Sequence, residues 1–352
     1  MQNKSLRWAL YCLLPLALLV LPFAAPLNWK GYFKTFVLNP QKTGIMTLNY
    51  HDETRNRPLV TEVWYPVDEQ VSCQNPPGLW IRCSEARGAP ISSKEQRYPL
   101  IIMSHGSGGD RYNISWLAEV FASNGYIVVA MDHYGNTWNN KIPELYIQPW
   151  ERPKDISFVL DKILSESPFK DRIDVQRIGF TGYSLGGATG MWIAGARAAD
   201  LNVDMVRAHS AQELGGIVSP ELIDTIDYTP ATASYKDPRI SAVVVMAPAL
   251  GWMFAESSLE QIDIPILIVA PEKDAIVPTE KNARRFAKTV GKASLHILSG
   301  EATHYVFLNC ATAMGKRILD TRYSEDPPSV DRKKIHDFVA KRSLEFFDKN
   351  LD

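Results

Sequence analysis

The sequence predicts an α/β fold, with a mostly parallel central sheet, helices on both of its faces and an inserted lid-like segment. Three observations predict it. From about Gly44 onward, short apolar runs alternate with longer amphipathic stretches, the pattern of strands joined by crossover helices. Beyond residue 100 those short runs are almost continuously apolar, as parallel strands buried on both faces require. The chain has 352 residues, 45% hydrophobic and 22% charged, which is the balance of a globular protein with a sizeable core.

Residues 45–50 and 59–65 are rich in β-branched and aromatic side chains and are separated by a polar turn holding Asp52, Asn56 and Arg57, so they read as an antiparallel pair. An insertion at about 68–97 follows. Strands are then expected at 100–103, 126–130, 178–181, 242–246, 264–270 and 294–298, with helices at 114–123, 155–165, 185–198 and 280–290. A last helix over 331–351 offers Ile335, Phe338, Val339, Phe346 and Phe347 to a core. The stretches at about 133–153 and 200–238 interrupt the alternation and read either as lids and binding loops or as surface excursions. One domain over 40–352 accounts for the whole pattern.

The first 27 residues stand apart. Lys4 and Arg7 precede an uncharged apolar run, which reads as a signal peptide or as an N-terminal membrane anchor, with Cys12 as apolar filler. Either reading makes the protein exported, periplasmic or secreted, with membrane association if the segment is retained. Cys73 and Cys83 bracket a short loop and in an oxidising compartment read as a disulfide, the alternative being two unpaired thiols; Cys310 is left odd. A net charge of −1 with both signs scattered offers no basic stripe for nucleic acid. No Cys and His spacing resembles a zinc site, and no cofactor or oligomeric state is implied.

The chemistry centres on Gly182-Tyr183-Ser184-Leu185-Gly186, which follows an expected strand and opens an expected helix. A serine in that sharp turn has its hydroxyl pushed out above the sheet, and glycines two positions to either side avoid collision. A serine alcohol is a weak nucleophile at neutral pH, so it requires a general base that a carboxylate orients. In the order Ser, acid, His of an α/β-hydrolase, Asp274 follows the strand at 264–270 and His304 follows the strand at 294–298. Glu272 competes for the acid role, but Ile276 and Val277 after Asp274 draw that loop inward. His105-Gly106-Ser107-Gly108-Gly109, after the strand at 100–103, is a small-residue turn suited to presenting backbone N–H groups to an oxyanion. The donors are expected to be the amides of Ser107 and Leu185, with His105 as a structural residue beneath the turn. Trp252, Met253 and Phe254 are candidates for an acyl pocket, and Trp138 and Trp150 for its cover, against ordinary packing.

With these residues in place, the chain resembles the bacterial dienelactone-hydrolase-like branch of the α/β hydrolases, related to platelet-activating-factor acetylhydrolases. The resemblance runs through Val63-Trp64-Tyr65-Pro66, Tyr98-Pro99-Leu100 with Ser104-His105-Gly106, Asp132-His133 with Gly135-Asn136-Thr137, Arg152 to Asp161, and Asp326 to Arg332. Two departures qualify it: Ser184 stands where true dienelactone hydrolases carry cysteine, and Ala247-Pro248-Ala249 stands where the acetylhydrolases place their acid, so Asp274 keeps that role. The expected activity is hydrolysis of a carboxylic ester, small-molecule or lipid, through an acyl-enzyme. Phospholipid or lipid-mediator esters are the second reading, and a non-catalytic binding protein on the same scaffold is the third.

Overall fold

Among the described residues, nine strands form one sheet in the order β3-β1-β2-β5-β4-β6-β7-β8-β9. They are β1 (Lys42–Asp52), β2 (Arg57–Tyr65), β3 (Ser84–Arg87), β4 (Tyr98–Ser104), β5 (Ile127–Met131), β6 (Ile173–Tyr183), β7 (Ala242–Met246), β8 (Ile266–Pro271) and β9 (Ala293–Leu298). The helices are α1 (Ser115–Ser123), α2 (Pro143–Ile147), α3 (Glu151–Ser165), α4 (Leu185–Ala194), α5 (Val203–Glu213), α6 (Pro220–Thr225), α7 (Glu256–Glu260), α8 (Ala283–Thr289), α9 (Ala313–Ile318), α10 (Thr321–Ser324) and α11 (Arg332–Asn350). This computed structural model describes residues 35–213 and 217–351. The segment expected to be a signal peptide or anchor lies outside them. Among the described residues no helix is long and apolar enough to cross a membrane.

The fold class is as expected. Strands β1 and β2 pair antiparallel, β2 pairs antiparallel with β5, and every pairing from β5 through β4, β6, β7 and β8 to β9 is parallel. The continuous apolar runs are explained by their two faces. In β4, Leu100 and Ile102 face a core completed by α3, α4 and α8, whereas Ile101 and Met103 face one completed by α1 and α11. In β7, Val243 and Val245 point to the first core, and Ala242, Val244 and Met246 to the second. Each such fully buried aliphatic side chain stabilises the fold by roughly 1.5–3 kcal/mol relative to exposure.

Several boundaries move. The helix expected over 185–198 ends at Ala194, because Gly195 takes φ 119° and caps it. Strand β3 was not anticipated; its sequence Ser-Glu-Ala-Arg carries no apolar alternation, yet it adds in parallel to the edge of β1. The segments 133–153 and 200–238 are packed rather than loose. Tyr146 and Trp150 of the first are buried, and so are Val206, Ile223 and Ala231 of the second.

The expected Cys73–Cys83 disulfide is not formed, and both are free thiols, as is Cys310. Cys83 Sγ is turned inward, 3.4 Å from Thr43 Oγ1, while Cys73 Sγ turns back toward the Val71 carbonyl at 3.3 Å. The loop is closed instead by main chain: Gln74 N donates to Glu85 O at 2.9 Å and Glu85 N to Gln74 O at 2.7 Å. Burial, then the neighbouring Glu119 carboxyl, pushes the Cys83 thiol well up, which keeps it protonated and unreactive.

Candidate active site

Ser184 sits between β6 and α4 with φ 56° and ψ −116°, a backbone conformation that costs a non-glycine residue roughly 1–3 kcal/mol. The turn persists because it is held on all sides. Ser184 N donates to Met246 O at 2.9 Å, and Ser184 O accepts from Ala249 N at 3.1 Å. The flanking glycines are sterically required. A Cβ on Gly182 would lie 2.2 Å from Gly186 O, and one on Gly186 would lie 2.0 Å from Ser104 O. The side chain of Ser184 is left at the sheet's carboxyl edge, with the residue 8% exposed.

His304 opens a short 3-10 turn, His304–Phe307, beyond β9, and its Nε2 lies 2.9 Å from Ser184 Oγ. Its Nδ1 lies 2.6 Å from Asp274 Oδ2. An ionised carboxylate only accepts, so Nδ1 carries the proton and Nε2 is free to accept from the serine hydroxyl. Asp274, beyond β8, is fixed through its other oxygen, which accepts from Ile276 N at 3.0 Å and Val277 N at 2.8 Å. The loop carrying His304 is braced from below. Tyr183 Oη donates to His304 O at 3.1 Å, His336 of α11 bonds Val306 O at 2.9 Å, and Trp116 of α1 donates to Phe307 O at 2.8 Å. Burial raises the Tyr183 phenol far above its usual range, so it remains a neutral donor.

The turn 105–109 lies against the same serine: the Cβ position of Gly106 is 3.4 Å from Ser184 Cβ. Among the described residues, no acceptor faces the amide of Ser107 or of Leu185. His105 is buried beneath the turn. Its Nε2 accepts from His133 N at 3.2 Å, which leaves Nδ1 to donate to Gly106 O at 2.7 Å. Burial, reinforced by Arg152, drives its pKa well below the usual imidazole value, so it is neutral.

Arg152 and Asn136 hold the turn from inside, and sequence reasoning gave neither of them a role. The Arg152 guanidinium donates to His105 O at 2.6 Å, Gly106 O at 3.2 Å and Asn136 Oδ1 at 3.1 Å. Asn136 Oδ1 also accepts from Gly108 N at 3.1 Å. Below them, Ser104 Oγ donates to His133 Nε2 at 2.9 Å, and His133 Nδ1 donates to Asp155 Oδ2 at 2.9 Å. Arg57 grips Asp155 with two bonds of 2.8 and 2.7 Å. The Gly135-Asn136-Thr137 and Arg152 to Asp161 segments were the only signal, as parts of a resemblance, without a role attached.

The remaining candidates separate by burial. Glu272 is exposed, whereas Asp274 is buried. Met253, Phe254 and Trp150 are core residues rather than pocket lining: Phe254 packs on Trp192 and Phe286, and Trp150 on Tyr228. Trp252 stacks on His209 of α5. Trp138 is 63% exposed, beside the turn, its indole donating to Asp110 Oδ2 at 3.0 Å. Among the described residues no group of three or more His, Cys, Asp or Glu side chains could hold a metal ion.

Comparison with known proteins follows the same lines. The family model of platelet-activating factor acetylhydrolase, isoform II, matches residues 51–139. A cutinase of Thermobifida alba is 24% identical over 247 residues, covering 63% of this chain and 66% of its own. A second cutinase of that organism is 29% identical over 170 residues, covering 41% of this chain and 53% of its own. The chain thus spans just under two thirds of the first of these relatives and about half of the second. A ferulic acid esterase from Streptomyces cinnamoneus superposes with a TM-score of 0.61 at 20% identity, covering 88% of this chain and 90% of its own. The fold is that of the α/β hydrolases, and the likeness to the dienelactone-hydrolase-like branch of that superfamily holds. The acetylhydrolase match ends before Ser184, so roles at the site rest on geometry.

Proposed function

We propose that this protein hydrolyses carboxylic esters through an acyl-enzyme on Ser184. The observation that carries the reading is the bridge made by His304, 2.9 Å from Ser184 Oγ on one side and 2.6 Å from Asp274 Oδ2 on the other. His304 takes the hydroxyl proton as Oγ attacks the ester carbonyl, and Asp274 supports the imidazolium that forms. The amides of Ser107 and Leu185 receive the negative charge that develops on the carbonyl oxygen. His304 returns the proton to the departing alcohol, and water, deprotonated by the same imidazole, releases the acid. The names of the relatives, cutinases and a ferulic acid esterase, support an ester as the substrate.

Short acyl esters are the preferred class. Lipid-mediator esters are the second reading, supported by the acetylhydrolase match over 51–139. A fluorophosphonate probe is expected to label Ser184 in the purified protein and fail on Ser184→Ala; no labelling of the wild type would leave the non-catalytic scaffold as the answer. Turnover on p-nitrophenyl acetate, butyrate and octanoate beside a short-chain phospholipid then ranks the two substrate classes. Export is read from the N-terminal sequence alone, and N-terminal sequencing of protein recovered from a cell fractionation decides between a cleaved peptide and a retained anchor.

A further inference from the structure

We infer that Arg152, with Asn136, is the positioning device that aims the Ser107 amide at the oxyanion. The inference rests on the ester-hydrolase reading of Ser184. A peptide unit is planar and trans, so the carbonyl of one residue and the N–H of the next point in opposite directions. The carbonyl of Gly106 and the N–H of Ser107 belong to one such unit. Arg152 holds that carbonyl at 3.2 Å and His105 Nδ1 holds it at 2.7 Å, both from inside the molecule. The Ser107 N–H is thereby turned outward, where no protein acceptor meets it among the described residues.

Two further bonds fix the neighbouring units. Arg152 takes the His105 carbonyl at 2.6 Å, setting the plane before Gly106. Asn136 Oδ1 takes the Gly108 N–H at 3.1 Å, and it is itself held by the guanidinium at 3.1 Å. Three consecutive carbonyl or amide groups that a glycine-rich turn would leave free to rotate are therefore tied to one side chain and its amide partner. Arg152 and Asn136 are each 2% exposed, so neither touches substrate, and both act through the turn. The guanidinium is suited to this work because its planar fork addresses several acceptors at once, which an ammonium group cannot do. Its distance from Ser184 in sequence is immaterial, since misplacing a reacting partner by about 1 Å costs on the order of 100-fold in rate.

The test uses the full-length protein and p-nitrophenyl acetate, with Arg152→Lys, Asn136→Ala and, as a control on the same helix, Lys162→Gln, whose ammonium pairs with the exposed Glu166 and lies over the Phe158 ring. Arg152→Lys keeps the charge and loses the fork. Both site variants are expected to lower kcat by roughly 10- to 100-fold with KM within about threefold, because an aimed N–H matters chiefly once the oxyanion forms. Affinity for a boronic acid, which forms a tetrahedral adduct on Ser184, should fall by the same factor, and the control should behave as wild type. Folded variants with kcat near that of the wild type, or a loss confined to KM or to the melting temperature, would overturn the inference. Should Arg152→Lys fail to fold, Asn136→Ala decides. A wild type inactive on every ester removes the ester-hydrolase reading and this inference with it, whereas an active wild type with unimpaired variants removes this inference alone.

Discussion

Among the described residues two Ser-His-Asp sets are linked by hydrogen bonds, and their difference is instructive. Ser184, His304 and Asp274 are linked by contacts of 2.9 and 2.6 Å. Ser104, His133 and Asp155 are linked by contacts of 2.9 and 2.9 Å, and Ser104 lies beside Gly182 in the sheet, directly under the first relay. Residue types, order of contacts and distances are nearly the same. Surroundings are not. Ser104 is an ordinary residue at the end of β4 and is wholly buried, so no carbonyl can reach it. Asp155 faces Arg57 and Arg55, which already balance its charge, whereas Asp274 accepts from the amides of Ile276 and Val277 besides His304. The lower relay is an interior brace, and the upper one has a strained serine and unsatisfied amides beside it.

The comparison can be broken or sharpened by matched substitutions. The largest effect is expected for Ser184→Ala, which should cut kcat on p-nitrophenyl acetate by about 10⁵–10⁶-fold while leaving the urea midpoint near that of the wild type. Asp274→Asn should follow at about 10³–10⁴-fold, again with little change in stability, as measured by steady-state kinetics and calorimetry on one preparation. The lower relay should answer in the other currency. Asp155→Asn leaves Arg57 without its anion and should cost about 3–5 kcal/mol of unfolding free energy, and an equal loss from Asp274→Asn would mean the two sites do not differ in kind. Ser104→Ala removes the bond to His133 and a longer one of 3.5 Å from Arg152, and should cost about 1–3 kcal/mol, with kcat within roughly tenfold of wild type once folded.

The smallest effect is in pH. Burial, then the charge of Arg152, lowers His133 to about 4 from an ordinary 6.5. Asp155 stands at about 2, because the His133 bond and the Arg57 charge together outweigh the opposing effect of burial. Both folded values lie below the unfolded ones. Their stabilisation is therefore complete above about pH 6.5; the part due to His133 is lost as pH falls toward 4, and that due to Asp155 between about 4 and 2. Unfolding between pH 6.5 and 4 should take up protons, and His133→Gln should reduce that uptake by about one, as read from the pH dependence of the denaturation midpoint. An unchanged uptake would show that His133 titrates in the folded protein as it does in water.

Much of this was legible in the sequence, for identifiable reasons. The strand-turn-helix context of Gly182 to Gly186 and the chain order of Asp274 and His304 singled out three side chains that do meet, because the parallel sheet brings successive strand ends to one edge. Arg152 could not be found this way. It reaches Gly106 across 46 residues, and neither spacing nor periodicity encodes such a contact. Cys73 and Cys83 sat in a loop of the right composition, but composition does not say which way a side chain points, and Cys83 points at Thr43. Met253 and Phe254, candidates for an acyl pocket, and Trp150, a candidate for its cover, are packed in the core, because position in sequence left open which face each would fill.

The main-chain stitching of Ser184 has one more consequence. Its amide and its carbonyl are both bonded to the segment running from the end of β7, at Met246 and Ala249. Ser184 is thereby stitched into the sheet's main-chain hydrogen bonding rather than carried on a loop that can fray by itself. Its amide should be among the last in the chain to exchange with deuterium, and loss of ester hydrolysis on heating should coincide with global melting instead of preceding it.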